Sequence, residues 1–299
     1  MAKKPVKKSA AKKTAAKKTT QKAAKKKKRG GISCFTVLAG LFIFLIVVML
    51  GASAFLISLV SKYTRELPSF EQLQLPTPSE KTKIFASGGE LIAELYYENR
   101  EHATYREIPD NAKLAFIAIE DERFYKHKGV DLEGLGRALF LFLKSGGEVK
   151  HGASTITQQL ARHIFLQRYL QEGSGRFEQS IIRKVKEWIL AYSLEKKYAK
   201  EEILTHYMNL IYYGHSAYGV KTAARVFFGK KLEQLTLSEA ALLAAVPNAP
   251  SRYSPYNNRE NALNRRDVVL DKMLELHFIT EQQFEQAINE KIELVPLQG

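Results

Sequence analysis

Residues 30–61 contain no charged side chain, and the run from Phe35 to Val60 within them is almost wholly apolar. About 20 such residues, rising 1.5 Å each as a helix, cross a hydrocarbon core of roughly 30 Å. This stretch is long enough to be a transmembrane helix. A cleaved signal peptide is the rival, because Ala52-Ser53-Ala54 resembles a small-residue cleavage site. The apolar character resumes at Phe55, Leu56, Ile57, Leu59 and Val60, and the whole run exceeds a signal core, so an uncleaved anchor is expected.

Charge orients that anchor. Residues 1–29 hold thirteen Lys and one Arg and no acid, whereas only Lys62 and Arg65, partly balanced by Glu66, follow the helix. The positive-inside bias puts the tail in the cytoplasm and everything from Lys62 onward outside the cytoplasmic membrane. The formal charge of +15, from 46 Lys and Arg against 31 Asp and Glu, is therefore an end effect: without the tail, 32 basic residues face 31 acidic ones. A balanced body argues against nucleic acid as a partner. The tail itself, built of Ala, Lys and Thr, is expected to be disordered and to touch anionic lipid. A single cysteine, Cys34, excludes an internal disulfide framework and a multi-cysteine metal cluster.

The expected organisation is a basic tail over 1–29, an anchor over 30–61, a linker over 62–82 marked by Pro68, Pro76 and Pro78, and one domain over 83–299. A small hairpin is expected where Lys83 to Phe85 and Leu91 to Tyr97 flank Ser87-Gly88-Gly89. Helical periodicity then takes over: Ala112, Ala115, Phe116 and Ile119 fall on one face. Further helices are expected over 132–143, 155–166, 181–198, 201–210, 238–246, 261–277 and 281–290. The fold class is mainly α.

Three segments could carry chemistry, and each alone has a plain structural reading. Glu120-Asp121-Glu122 ends an apolar helix, where an acidic cluster is usually solvated surface. Thr155 with Gln158 fits a capping box, and the polar stripe Thr155, Gln159 and Arg162 at a helix start suits phosphate oxygens; a capped amphipathic helix needs no ligand, however. Arg183 and Glu187, opposite a face of Ile181, Val185, Trp188, Ile189 and Tyr192, read in isolation as an exposed ion pair.

Taken in order, the segments say more. Glu120-Asp121-x-x-Phe124-x-x-His127-x-Gly129 is followed by Gly152-x-Ser154-Thr155-Ile156-Thr157-Gln158-Gln159-Leu160-x-Arg162. Next come Arg183-Lys184-x-x-Glu187 and Ile203-Leu204-x-x-Tyr207-Met208-Asn209-x-x-Tyr212-x-Gly214, then Ser238 to Leu243 with Pro247, Pro250, Tyr253 and Pro255. Behind a membrane anchor this series resembles the peptidoglycan glycosyltransferases of family 51 over roughly residues 83 to 275. The resemblance implies a lysozyme-like, two-lobed domain that joins lipid II units to a growing lipid-linked glycan by β-1,4 bonds, releasing undecaprenyl pyrophosphate. It implies Glu120 as the base, supported by Asp121, Phe124 and His127. Glu187, Arg162, Arg183 and Lys184 would manage the donor pyrophosphate, Glu187 with a divalent cation such as Mg or Mn. Ser154, Thr155, Gln158, Gln159 and Asn209 would line the substrate site. No organic cofactor is implied; the membrane and other cell-wall synthesis and division proteins are the implied partners.

The chemistry is consistent with those residue types. A pyrophosphate leaving group needs no acid to protonate it, so one base and a cationic clamp suffice for displacement with inversion. Ala138 to Leu143, flanked by Arg137 and Lys144, is either a surface that dips into lipid or a buried helix. The series departs from the family at Gln179, where an Arg is usual and Arg176 stands near as a substitute; at Arg162 in place of Lys; at Thr205 in place of Glu; and at an insert over 171–175. Ser193-Leu194-Glu195-Lys196 matches a transpeptidase Ser-x-x-Lys pattern but falls inside an expected helix, and no Lys-Thr-Gly occurs. With the chain ending at Gly299, a monofunctional enzyme is expected; the N-terminal part of a bifunctional penicillin-binding protein and an inactive cell-wall scaffold are the alternatives. A muramidase would cleave glycan with a carboxylic acid instead, and a membrane-tethered DNA-binding protein would use the tail.

Overall fold

A computed structural model describes residues 34–65, 67–75, 82–95, 99–146, 154–166 and 176–297. The basic tail, Pro76, Pro78, Gly152, the insert over 171–175 and the side chains of Arg176 and Gln179 lie outside the described residues. The chain divides into two compact units, one ending at Ala54 and one starting at Phe55. Helix α1, Cys34–Thr64, runs through the division. From Val37 to Thr64 it is long and apolar enough to cross a membrane, and its most apolar window buries no side chain against the protein.

The stretch expected as a linker is partly docked. Leu73 is buried, the Tyr198 hydroxyl donates to its carbonyl at 3.1 Å, and the Leu75 amide donates to that hydroxyl at 3.2 Å. Lys197 Nζ holds the carbonyls of Phe70 and Glu71. The expected hairpin follows, with β1 (Thr82–Phe85) antiparallel to β2 (Leu91–Leu95) and Gly89 at φ 85° in the turn. A second, two-residue ladder pairs β3 (Asn99–Arg100) in parallel with β4 (Ala217–Tyr218).

The rest is helical. α2 (Asp110–Glu120) packs on α8 (Leu237–Ala245) and α10 (Arg259–Glu275). The core between them is made of Ala112, Ala115, Phe116 and the buried run Ala240 to Ala245, alanines around Leu242 and Leu243. A second group joins α4 (Ile156–Ala161), α5 (Arg176–Lys197) and α6 (Lys200–Leu210) around Ile156, Leu160, Leu190, Leu194 and Leu204. α7 (Val220–Phe228), α9 (Pro250–Tyr253) and α11 (Glu281–Asn289) complete the domain. α7 escaped the periodicity argument: it is nine residues long, starts after Gly219 and stops at Gly229 in the left-handed region.

Two helices correct the sequence reading. α3 (Leu132–Lys144) buries nothing: Leu139, Phe140 and Leu143 are each more than half exposed, which removes the buried-helix alternative for Ala138 to Leu143. In α5 the buried face is Val185, Lys186, Glu187, Leu190, Ala191 and Leu194, with Trp188 and Ile189 only partly covered and Tyr192 exposed. The Arg183–Glu187 pair is therefore not an exposed one, since Glu187 sits with a side-chain exposure of 1%. Apolar residues line both sides of α5 in sequence, so periodicity alone could not choose the face; tertiary contacts did.

Candidate functional site

α2 ends at Glu120 because Asp121 leaves helical geometry, turning the chain so that two adjacent carboxylates point different ways. Asp121 is buried, and His127 Nε2 donates to its two oxygens at 3.0 Å each, while the Ile156 amide at the start of α4 donates to Oδ2 at 3.0 Å. Asp121 thereby ties the end of one helical group to the start of the other. Phe124, fully buried, packs edge-on against His127 at 6.4 Å.

Glu120 faces the gap that this tie creates. Its Oε2 accepts from Gln159 Nε2 at 2.7 Å, and Gln159 Oε1 accepts from the Tyr207 hydroxyl at 3.3 Å. Its Oε1 takes no donor from the described residues. Although part of the side chain meets the cavity, protein crowds it, and burial pushes its pKa up; Gln159, Arg265 and Arg162 oppose that shift and Asp121 adds to it.

Thr155 and Gln158 also bind backbone. The Thr155 hydroxyl donates to the Gly129 carbonyl at 2.6 Å and accepts from the Gln158 amide at 3.1 Å; Gln158 Nε2 donates to the same carbonyl at 3.3 Å. The expected capping box is thus half made, with the Gln158 side chain spent on Gly129. Gly129 has φ 87°, and a Cβ there would lie 2.6 Å from the Ala191 backbone, so only glycine fits where this loop passes α5. Asp121 takes the Ile156 amide and Thr155 the Gln158 amide at the start of α4.

A cationic cluster stands beyond α4. Lys184 Nζ lies 2.6 Å from Ser154 Oγ and 2.7 Å from Glu187 Oε2, and Arg183 Nε lies 3.5 Å from Glu187 Oε1, with neither of the latter two atoms hydrogen-bonded. α4 runs directly into a single wider turn, Arg162–Leu166, of the type that often marks functional sites. This turn brings Arg162 within electrostatic range of Glu120, and His163 within range of Arg162 and Glu187. Burial is the main reason that His163 is less basic than usual.

One cavity of about 280 Å³ lies beside them: Glu120, Asp121, Ser154 and Thr155 line it from the body, Arg137 and Leu141 from α3, and of the cationic cluster's partners only Ser154 reaches it. Of the residues expected at the substrate site, Asn209, Gln158, Gln159, Arg162, Arg183 and Lys184 do not line this cavity, and Asn209 has a backbone role. It is buried, accepting from the Ala103 amide and donating to the carbonyls of Ala103 and Thr205, each at 2.8 to 2.9 Å.

Charged residues on the cavity wall that the series did not assign to the site are Glu122, Arg123, Asp131, Arg137 and Lys272, and Arg265 acts on Glu120 electrostatically. Arg137 Nη1 donates to Glu122 at 2.7 Å, and Lys272 stands 3.7 Å from the same carboxylate. Nothing local marks Arg265 and Lys272, because α10 meets α2 only through the tertiary fold.

A transglycosylase family model matches residues 88–274. The chain is 42% identical over 202 residues to penicillin-binding protein 1F of Bacillus subtilis (strain 168), covering 68% of this chain and 27% of that one. It is 42% identical over 247 residues to penicillin-binding protein 1A of Escherichia coli (strain K12), covering 82% and 28%. With penicillin-binding protein 1A of Aquifex aeolicus (strain VF5) it shares 38% identity over 247 residues, covering 83% and 32%. The chain spans less than a third of the length of these relatives.

Proposed function

The chain belongs to the transglycosylase family, and from that premise we propose that it polymerises peptidoglycan glycan strands, with lipid II as acceptor and the growing lipid-linked glycan as donor. The observation that carries the reading is a half-buried carboxylate with an open oxygen, Glu120, on the wall of a cavity that also includes Ser154, to which Lys184 of the cationic cluster hydrogen-bonds at 2.6 Å. A base, with a clamp for negative charge behind the same wall, is what displacement of a pyrophosphate requires.

In the proposed step Glu120 Oε1 takes the proton of the acceptor 4-hydroxyl as its oxygen attacks the anomeric carbon of the donor. The bond from that carbon to the pyrophosphate oxygen breaks, undecaprenyl pyrophosphate leaves, and the new β-1,4 bond forms with inversion. Lys184, Arg183 and Arg162 neutralise the departing charge, and buried Glu187 holds Lys184 and Arg183 in register. Asp121 and His127 fix the turn that aims Glu120, and Thr155 and Gln158 fix the Gly129 loop.

A divalent cation fits this site only as one shared with substrate. Among the described residues no three His, Cys, Asp or Glu side chains form a metal cluster, and Glu187 is a single carboxylate between two cations. Its Oε1, ion-paired with Arg183 at 3.5 Å but without a hydrogen bond, is the protein atom that would hold Mg or Mn, and the ion would supply charge neutralisation.

Both substrates carry a lipid, which accounts for the membrane features. In this reading α1 anchors the chain with its basic tail in the cytoplasm and its catalytic domain outside. The exposed apolar face of α3, on the cavity wall, enters the outer leaflet, with each buried Leu or Phe contributing about 1.5–3 kcal/mol.

The test is direct: the full chain in phospholipid vesicles is given lipid II. Longer glycan together with undecaprenyl pyrophosphate is the expected result; unchanged lipid II under conditions where the protein stays folded would refute the proposal.

A further inference from the structure

Tyr207 stands on α6 with its side chain fully buried. Its ring packs edge-on against Phe116 of α2 with centroids 6.3 Å apart. The hydroxyl donates to Gln159 Oε1 at 3.3 Å, and Gln159 Nε2 donates to Glu120 Oε2 at 2.7 Å. One chain of hydrogen bonds therefore runs from α6 through α4 to the end of α2.

That chain has a direction. An ionised carboxylate only accepts, so the end of the Gln159 amide that meets it must be the nitrogen. Turned over, the amide would set its carbonyl oxygen against Glu120, an arrangement open only to the protonated acid. The choice is made at the other end. A buried hydroxyl must place its hydrogen on an acceptor, and among the described residues Gln159 Oε1 is the acceptor that Tyr207 finds. With the amide turned over, that O–H would stay buried without a partner, which is the costly way to lose a hydrogen bond. Burial holds the Tyr207 phenol well above its ordinary pKa, so it remains a donor wherever the protein works.

We propose that Tyr207 is a positioning residue: its hydroxyl fixes the polarity of the Gln159 amide, so that a donor meets Glu120 Oε2 and Oε1 is left to the acceptor hydroxyl. The proposal rests on the reading of Glu120 as the base, and it gives a task to a residue of the Ile203 to Gly214 motif that this reading leaves without one.

Tyr207→Phe tests it, because the ring stays against Phe116 and only the hydroxyl goes. With the full chain in vesicles and lipid II as substrate, kcat should fall about three- to tenfold, while KM stays within about twofold. The loss should pass through Gln159, so adding Tyr207→Phe to Gln159→Ala should cost nothing further. An unchanged rate in the single variant, or a loss of the same size with and without Gln159, would overturn the proposal.

A second measurement needs no activity. The difference in melting temperature between proteins with Glu120 and with Glu120→Gln, followed against pH, reports the titration of Glu120. The other groups facing Glu120 are Asp121 beside it, Arg162 from the wide turn, Tyr213 from the loop after α6 and Arg265 from α10, with the Glu122–Arg137 pair and Lys272 on the same cavity; α8 packs on α2 through alanine and leucine. Tyr207→Phe alters none of these. The titration should lie at higher pH in Tyr207→Phe than in the unmodified protein, and should not move when the same change is made in Gln159→Ala. A titration unmoved in the single variant would again overturn the proposal. If Tyr207→Phe does not fold, Tyr207 is replaced by a tyrosine fluorinated beside its hydroxyl, a stronger donor of nearly the same size. The titration should then move to lower pH with Gln159 in place, and no movement would count against the proposal. Failure of the unmodified protein to polymerise lipid II would refute the glycosyltransferase reading, while the melting comparison would still judge the link from Tyr207 to Glu120.

Discussion

Gln159 donates to Glu120 across the gap between the two helical groups, 2.7 Å from Nε2 to Oε2, and is itself oriented by the Tyr207 hydroxyl on its Oε1. One oxygen of the carboxylate is thereby fixed and the other left open. Gln159→Ala should remove the largest of the influences that lower the Glu120 pKa. A hydrogen bond to a carboxylate contributes about 1.5 kcal/mol or more, so polymerisation near neutral pH should fall by roughly tenfold. Raising the pH should recover part of the loss, which a pH–rate series checks.

The pH dependence of stability follows from the sign of the Glu120 shift. Burial raises the folded-state pKa above the ordinary 4.5 of a glutamate, so the folded state holds this proton more tightly than the unfolded one. The group's stabilising contribution is complete below pH 4.5 and is lost as pH rises through the folded-state value. Glu107 runs the other way. Hydrogen bonds from Lys221, then from Thr104, hold it down to about 2, so its contribution is present above pH 4.5 and disappears as pH falls toward 2. Glu120→Gln should raise the melting temperature at neutral pH relative to acid, and Glu107→Gln should lower it; melting curves from pH 3 to 8 separate the two.

Glu187 is predicted to matter for both stability and rate. Its side chain is 1% exposed between Lys184 and Arg183, and breaking a buried pair is costly, although Lys184 keeps some solvent and Ser154. Glu187→Gln should destabilise by about 1–3 kcal/mol and reduce polymerisation by about 10² or more. Denaturant titration alongside lipid II turnover measures both.

For Asn209 the expected effect is structural. Its amide satisfies the Ala103 amide and carbonyl and the Thr205 carbonyl, so Asn209→Ala should destabilise by about 2–3 kcal/mol. The apparent affinity for lipid II, measured on the folded fraction, should stay within about twofold. Loss of affinity at unchanged stability would instead return Asn209 to the substrate site.

How far the sequence could be read depended on how local each feature was. The span of α1, the hairpin around Gly89 and most helices follow from composition, turn residues and periodicity, which act over a few positions. The two ends of the site were legible as motifs because Glu120 ends one helix and Thr155 caps the helix that carries Gln159. What the motifs could not say is which polar group each side chain would choose. Thr155 and Gln158 turned to the Gly129 carbonyl, and Asn209 turned to Ala103, because buried backbone groups must be satisfied. Arg265 was invisible for the opposite reason: its relation to Glu120 exists only through the packing of α10 on α2.

The measurement closest to the central claim compares the unmodified protein with Glu120→Gln on two substrates, lipid II and preformed glycan. The glutamine keeps the size of the side chain and loses the base, so lipid II should still bind while elongation falls by at least about 10². Undecaprenyl pyrophosphate and longer glycan should form with Glu120 in place and preformed glycan should stay intact. Cleavage of preformed glycan by the unmodified protein, lost in Glu120→Gln, would contradict the account and make Glu120 the acid of a hydrolase.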